Sequence, residues 1–196
     1  MSDLPIEFDA TRAGRLAHVL DVEGKIPRAL DSLGPVADRD VLLVDAPADG
    51  IRARQLADAG ARVVASPVDD AAPASADVLV SCWSSFRGVD PVEVAAADRV
   101  LRRGGRLLVV HDYGRDDVSR LRGDQPDYGT WSRRDGPFLQ GGFKIRVVHC
   151  FWTFDSVEDG QAFLADAFGA TGEAVGADMT RPRITYNVAV YHRTFG

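Results

Sequence analysis

Four short apolar runs limit what this chain can fold into. They are Val41-Leu42-Leu43-Val44, Arg62 to Ala65, Ala76 to Val80 and Arg106 to Val110. Helical patterns at Ile51 to Ala59 and from Asp90 to about Arg103 lie between them. Runs of this length, alternating with helices, predict βα units on a mostly parallel sheet, a Rossmann-like α/β fold with helices on both faces. Such sheets bind ligands beyond the carboxyl ends of their strands. Function should therefore be sought in the polar tails of the runs: Asp45 to Gly50, Ser66 to Ser75, Cys82 to Ser85 and His111 to Tyr113.

At 196 residues the chain reads as one domain with room for a full core. It divides into an N-terminal helical flank (1–39), a Rossmann-like core (40–113), a cover or insertion (114–142) and a C-terminal strand-helix-strand (143–196). Hydrophobic content of 45% and charged content of 27% are ordinary for a soluble protein. No apolar run approaches the roughly 20 residues of a membrane span. The opening MSDLPIEFDA lacks the basic and apolar regions of a signal peptide. Cys82 and Cys150 fall at strand-like positions and make no disulfide framework, so a reducing cytoplasm is the expected location. A net charge of −6 gives no general pull toward nucleic acid or anionic membrane. The expected partner is a small molecule, or a second copy of the chain in a homodimer. Heavy use of Ala, Arg, Asp and Val fits a GC-rich bacterial genome.

In chain order, residues 9–34 read as one or two helices broken near Gly24 and Pro27, with His18 a partly buried helix histidine. Asp49 is placed to cap a helix starting near Gly50 and stopping at Gly60. Ser66 to Ser75 is a loop. Asp90-Pro91-Val92-Glu93 starts the next helix, which Gly104-Gly105 ends. Between Asp112 and Gly142 the only helix candidate is Asp116 to Leu121. Phe143 to Phe154 is a long strand with a bulge near Val147-Val148. A helix capped by Ser156 carries Phe163, Leu164 and Phe168 inward and stops at Gly169. Ile184 to Thr194 alternates as an antiparallel strand does.

This pattern resembles the class I S-adenosylmethionine-dependent methyltransferases. The most specific passage is Arg99-Val100-Leu101-Arg102-Arg103-Gly104-Gly105 before the fourth run. Leu56-Ala57-Asp58-Ala59-Gly60-Ala61-Arg62-Val63 and Phe151-Trp152-Thr153-Phe154 add to it. The resemblance implies S-adenosylmethionine as cofactor, methyl transfer to an unidentified small molecule, and a first turn at Asp45, Ala46, Ala48, Asp49 and Gly50 that meets the cofactor. It also locates three departures. With Gly50 as the last glycine of the family's Gly-x-Gly-x-Gly turn, the other two positions are Ala46 and Ala48. The position of the family's ribose-holding acid falls on Pro67, and Asp69 and Asp70 lie close enough to substitute for it, with Asp69 the cofactor-binding candidate. The family's helix-strand-helix between its second and fourth strands has only Ser66 to Ser75 to occupy. The expected sheet is therefore shortened, in family order 2-1-4-5-7-6. A chain with such losses has an alternative reading: a non-catalytic binding or dimerisation scaffold.

Two clusters remain at strand ends. Trp83, Ser84 and Ser85 can meet a flat substrate, or can pack a lid and cap a turn. His111, Asp112 and Tyr113 can do chemistry, with His111 as general base and Asp112 orienting it or binding a metal, or can be ordinary strand-end groups. Cys150 and His149 are adjacent and point to opposite faces, which argues against a nucleophile pair. No metal-ligand spacing is present. Tyr128, Trp131, Arg133 and Arg134 can form a substrate cover, or a solvated loop.

Overall fold

In a computed structural model, residues 3–123, 125 and 129–196 are described; Tyr128 lies outside them. Six strands form one sheet. They are β1 (Asp40–Val44), β2 (Arg62–Ala65), β3 (Ala76–Cys82), β4 (Leu101–Asp112), β5 (Lys144–Thr153) and β6 (Arg183–Thr194). Their order is β2-β1-β3-β4-β6-β5. Strands β2, β1, β3 and β4 run parallel, and β6 lies antiparallel between β4 and β5. This is the shortened order expected, with β2 left as an edge.

Burial explains the arrangement. β1 and β3 are apolar and almost wholly buried, as parallel strands covered on both faces must be. On one face pack α1 (Ala10–Val19), α2 (Lys25–Leu33), α3 (Ile51–Asp58), α5 (Asp117–Arg122) and α7 (Val157–Ala177). On the other pack α4 (Pro91–Val100), the short α6 (Pro137–Gln140) and the aromatics Trp131, Phe138 and Phe143. The Ser66 to Ser75 connection holds one 3-10 turn, Val68–Asp70. Asp116 to Leu121 is helical as expected, as α5, with Asp116 accepting from the Ser119 amide at 2.7 Å.

Five local expectations are corrected. The break between α1 and α2 spans 20–24 and includes Gly24, in the left-handed region, as expected, but Pro27 does not interrupt the helix and sits in the first turn of α2. Buried Asp21 caps that helix by accepting from the amides of Lys25 and Ile26. α4 ends at Val100, not near Arg103, because Leu101 already pairs with Ala76 and the amide of Ser75 donates to the Val100 carbonyl. β5 has unbroken register with β6, so no bulge exists at Val147-Val148; the irregularity lies between Ala76 and Val78 against β4. The helix after Ser156 does break at Gly169 (φ 57), but helical turns resume and run to Ala177. His18 is exposed.

Arg102, freed from the helix, ties the starting ends of β1 and β3 together. Its guanidinium lies 2.8 Å from Asp40 and 3.0 Å from Asp77. Arg62 and then Arg102 hold the Asp40 carboxyl below its ordinary value. For Asp77 burial pushes upward, but the Asp40 amide and Arg102 outweigh it and the net shift is down. A carboxyl with a depressed folded pKa stabilises the fold above its unfolded value, 3.8 here, and that contribution is lost as pH falls through the lower folded value. Replacing Arg102 with Gln is therefore expected to flatten the acid limb of stability between about pH 5 and 2. Melting temperatures of both forms across that range check this. The effect at pH 7 should be small, because the pairs are half-exposed and screened by water.

Candidate functional site

Two strand ends carry backbone that L-residues rarely adopt. Asp45, after β1, has φ 53, and Trp83, after β3, has φ 49. Asp tolerates the left-handed region, but for a bulky residue such as Trp it costs on the order of 1–2 kcal/mol. The contacts around Trp83 hold it there: its amide donates to the Val110 carbonyl at 2.9 Å, and its indole Nε1 donates to Asp112 Oδ1 at 3.2 Å. Asp45 Oδ2 accepts from the Ser84 hydroxyl at 2.7 Å, and Ser84 Oγ accepts from the Phe86 amide at 2.9 Å. The turn after β1 and the loop after β3 are thus locked to one another.

Beyond these ends lies a cavity of about 210 Å³ at the carboxyl edge of β3 and β4. Trp83, Arg87, His111, Asp112, Arg122 and Trp131 line it, and Pro5 and Gln125 close its sides. His111 meets the Trp131 ring edge-to-face, centroids 4.6 Å apart, and its Nε2 lies 3.4 Å from the Ser84 carbonyl oxygen. The Arg87 guanidinium sits 4.3 Å from the Trp131 ring centre.

The structure therefore brings together Trp83, His111 and Asp112, and adds Trp131 from the cover. Ser84 is buried and spent on Asp45 and Phe86. Ser85 is exposed. Tyr113 lies outside the cavity lining, packed on the aromatic face with its amide donating to the Asn187 carbonyl at 2.9 Å. Arg133 and Arg134 are exposed, and Arg133 pairs with Asp135 at 3.1 Å. Asp112 does not orient His111. Adjacent strand residues face opposite sides of a sheet, and Asp112 turns to the other side. There it accepts from Trp83 Nε1, from the Tyr186 hydroxyl and from Arg122. Burial, then the Asp112 charge, hold the Tyr186 hydroxyl well above its ordinary pKa, so it stays a donor. Arg87, Arg122 and Gln125 were not among the expected site residues. An arginine three residues past a strand-end Trp-Ser was a legible signal for the first; nothing local marked the other two.

The turn expected to meet a cofactor is filled by the chain itself. Ala46 and Gly50 are buried, Ala48 and Asp49 exposed. The Gly50 amide donates to the Pro47 carbonyl at 2.9 Å, closing the turn on itself. Asp49 is not the cap of α3: Gly50 is the N-cap residue, and the only described bond of Asp49 is from Arg54 to its carbonyl. The cap comes from Asp3, a buried residue at the far end of the sequence, whose Oδ2 accepts from the Arg52 amide at 2.8 Å. A Cβ on Gly50 would lie 2.6 Å from that Asp3 oxygen. Asp69 is exposed in the 3-10 turn, and Pro67 offers no donor. In this conformation the turn does not fit the methionine end of S-adenosylmethionine, because a carboxylate already occupies the helix terminus that would receive another.

Both cysteines are buried. Burial first pushes the Cys82 thiol up to about 12 and the Cys150 thiol well upward, so neither is a nucleophile at neutral pH. His149 bonds Asn187 on the exposed side at 2.8 Å. Among the described residues no group of three or more His, Cys, Asp or Glu can hold a metal ion. Among them too, no helix is long and apolar enough to cross a membrane.

No family model matches the chain, and no curated protein matches it by sequence. Solved structures do match. One is a protein provisionally described as a type II methyltransferase from Anaeromyxobacter dehalogenans, 19% identical, with 86% of this chain and 94% of that one covered and a TM-score of 0.56. A protein provisionally described as a methyltransferase from Bacillus halodurans is 14% identical, covers 86% and 97%, and has a TM-score of 0.47. The first likeness carries the argument: this chain has a methyltransferase-like fold.

Proposed function

We propose that this chain is a methyltransferase-like protein that takes a small molecule in the cavity at the carboxyl edge of β3 and β4. S-adenosylmethionine, on this reading, reaches the Asp45 to Gly50 turn only when Asp3 has left the start of α3. The observation that supports it is the convergence of Trp83, His111 and Asp112 on one cavity, at the strand ends where such sheets bind their ligands. The chain's own residues then supply flat surfaces in Trp83 and Trp131, and an imidazole in His111 within reach of a bound molecule. Asp112 and Tyr186 fix the Trp83 indole.

A second reading has an observation of its own. Asp3 satisfies the α3 terminus and blocks it, as expected of a scaffold that no longer takes the cofactor. The two readings separate on methyl-labelled S-adenosylmethionine incubated with a protein-free small-molecule extract. Label passing to an organic product, with the full chain or with Asp3→Ala, and lost on Trp83→Ala, is the expected result. No transfer by either form would favour the scaffold.

A further inference from the structure

Among the described residues the Arg87 guanidinium has no charge partner. It makes no ion pair among the described residues, and its Nε is buried without a hydrogen-bond partner. Leaving such a donor unmatched is unfavourable to the fold. Yet the side chain is held in place, its guanidinium over the Trp131 ring at 4.3 Å, at the wall of the cavity. Nε is enclosed by the protein, so the donors such a guanidinium keeps for a ligand are its Nη N–H groups, for which no hydrogen bond is described.

The rest of the cavity does not supply the missing charge. Its one described carboxylate, Asp112, already receives Arg122, the Tyr186 hydroxyl and the Trp83 indole. Of the two lining guanidiniums, Arg122 is thus engaged with Asp112, and no described carboxylate of the cavity remains for Arg87. A further guanidinium, Arg52, lies fully buried on the Trp83 ring at 5.4 Å. Its described acceptor is the neutral Gln55, and Nε and Nη2 have none. Among the described residues that line the cavity, Arg87 and Arg122 stand against Asp112 alone, although the chain as a whole carries −6. Size adds a limit. About 210 Å³ is below the roughly 300 Å³ at which pockets begin to hold drug-sized ligands. Two indoles and an imidazole around it suit one flat ring.

Resting on the small-molecule reading above, we propose that this cavity binds a single-ring planar molecule carrying an oxyanion, a carboxylate or a phosphate, with Arg87 as its counter-charge and Trp83 and Trp131 as its ring contacts. Arg87 is thereby a specificity-determining residue. Its charge-assisted hydrogen bonds to an oxyanion distinguish an acid from the corresponding amide.

Tryptophan emission of the full chain reports the site, because Trp83 and Trp131 line it. The probes are benzoate, phenyl phosphate, benzamide and benzylamine. Saturable quenching by at least one anion, about tenfold tighter than by benzamide, is expected, since one such interaction is worth roughly that factor. Benzoate against phenyl phosphate tells carboxylate from phosphate. Arg87→Gln should abolish the preference for the anion, and Arg87→Lys should keep part of it. If Arg87→Gln does not fold, raising salt with the intact chain decides: the preference should shrink. Equal affinity for benzamide, or a preference that survives Arg87→Gln or high salt, would overturn the charge assignment and leave a small-molecule site standing. Absence of saturable quenching by every ring would overturn both.

Discussion

Asp112→Ala is expected to unfold the strand-end network rather than merely silence it, lowering stability by about 2–4 kcal/mol. The carboxylate receives Arg122 on one oxygen and the Tyr186 hydroxyl and Trp83 indole on the other. Tyr186 is almost wholly buried, so its hydroxyl would lose its acceptor with no water to replace it. Breaking a fully buried charge pair costs about 3–5 kcal/mol, and the figure is discounted here because the Arg122 side chain is 24% exposed. For a chain of this size the melting temperature should fall by roughly 5–15 °C. Asp112→Asn, which keeps an acceptor oxygen, should lose less than half of that. Thermal melts of the three forms decide. A melting temperature unchanged in Asp112→Ala, with ligand binding lost, would return Asp112 to a purely chemical role.

That prediction shows where the sequence stopped being readable. His111-Asp112-Tyr113 stood out as a polar strand tail, and the tail is where the cavity lies. Its three members do different jobs because neighbouring strand residues alternate in direction. His111 meets Trp131, Asp112 meets Tyr186, and Tyr113 leaves the cavity. The sheet was more legible. Apolar runs located every parallel strand to within two residues except β4, where Leu101 to Gly105 pair or turn as part of the strand although Gly104-Gly105 reads as a helix stop. The strand order was available only through the resemblance. Asp49 followed a correct local rule, an acid before a helix, but the Pro47 to Gly50 turn puts the N-cap at Gly50 and Asp49 outside. Asp3 was invisible because its partner, Arg52, is 49 residues away. A lone acid near a terminus carries no local signal.

Asp3 also sets the second large effect. Substituting Ala frees the Arg52 amide and removes a negative charge from the terminus of α3. The cost to the fold is that of a lost cap, about 1 kcal/mol. The gain falls to any incoming ligand carboxylate, which acquires a donor and loses a repulsion. Together these are expected to be worth at least about 1.4 kcal/mol, a factor of ten in affinity. Gly50 would then face open space on the side where a Cβ now meets the Asp3 oxygen.

Calorimetric titration of S-adenosylhomocysteine into the full chain and into Asp3→Ala tests the central claim most directly, that this sheet keeps a cofactor turn filled by its own N-terminal carboxylate. Binding by Asp3→Ala at least about tenfold tighter than by the unaltered chain is the predicted result. No heat from either form at millimolar ligand, or equal affinity in both, would contradict it.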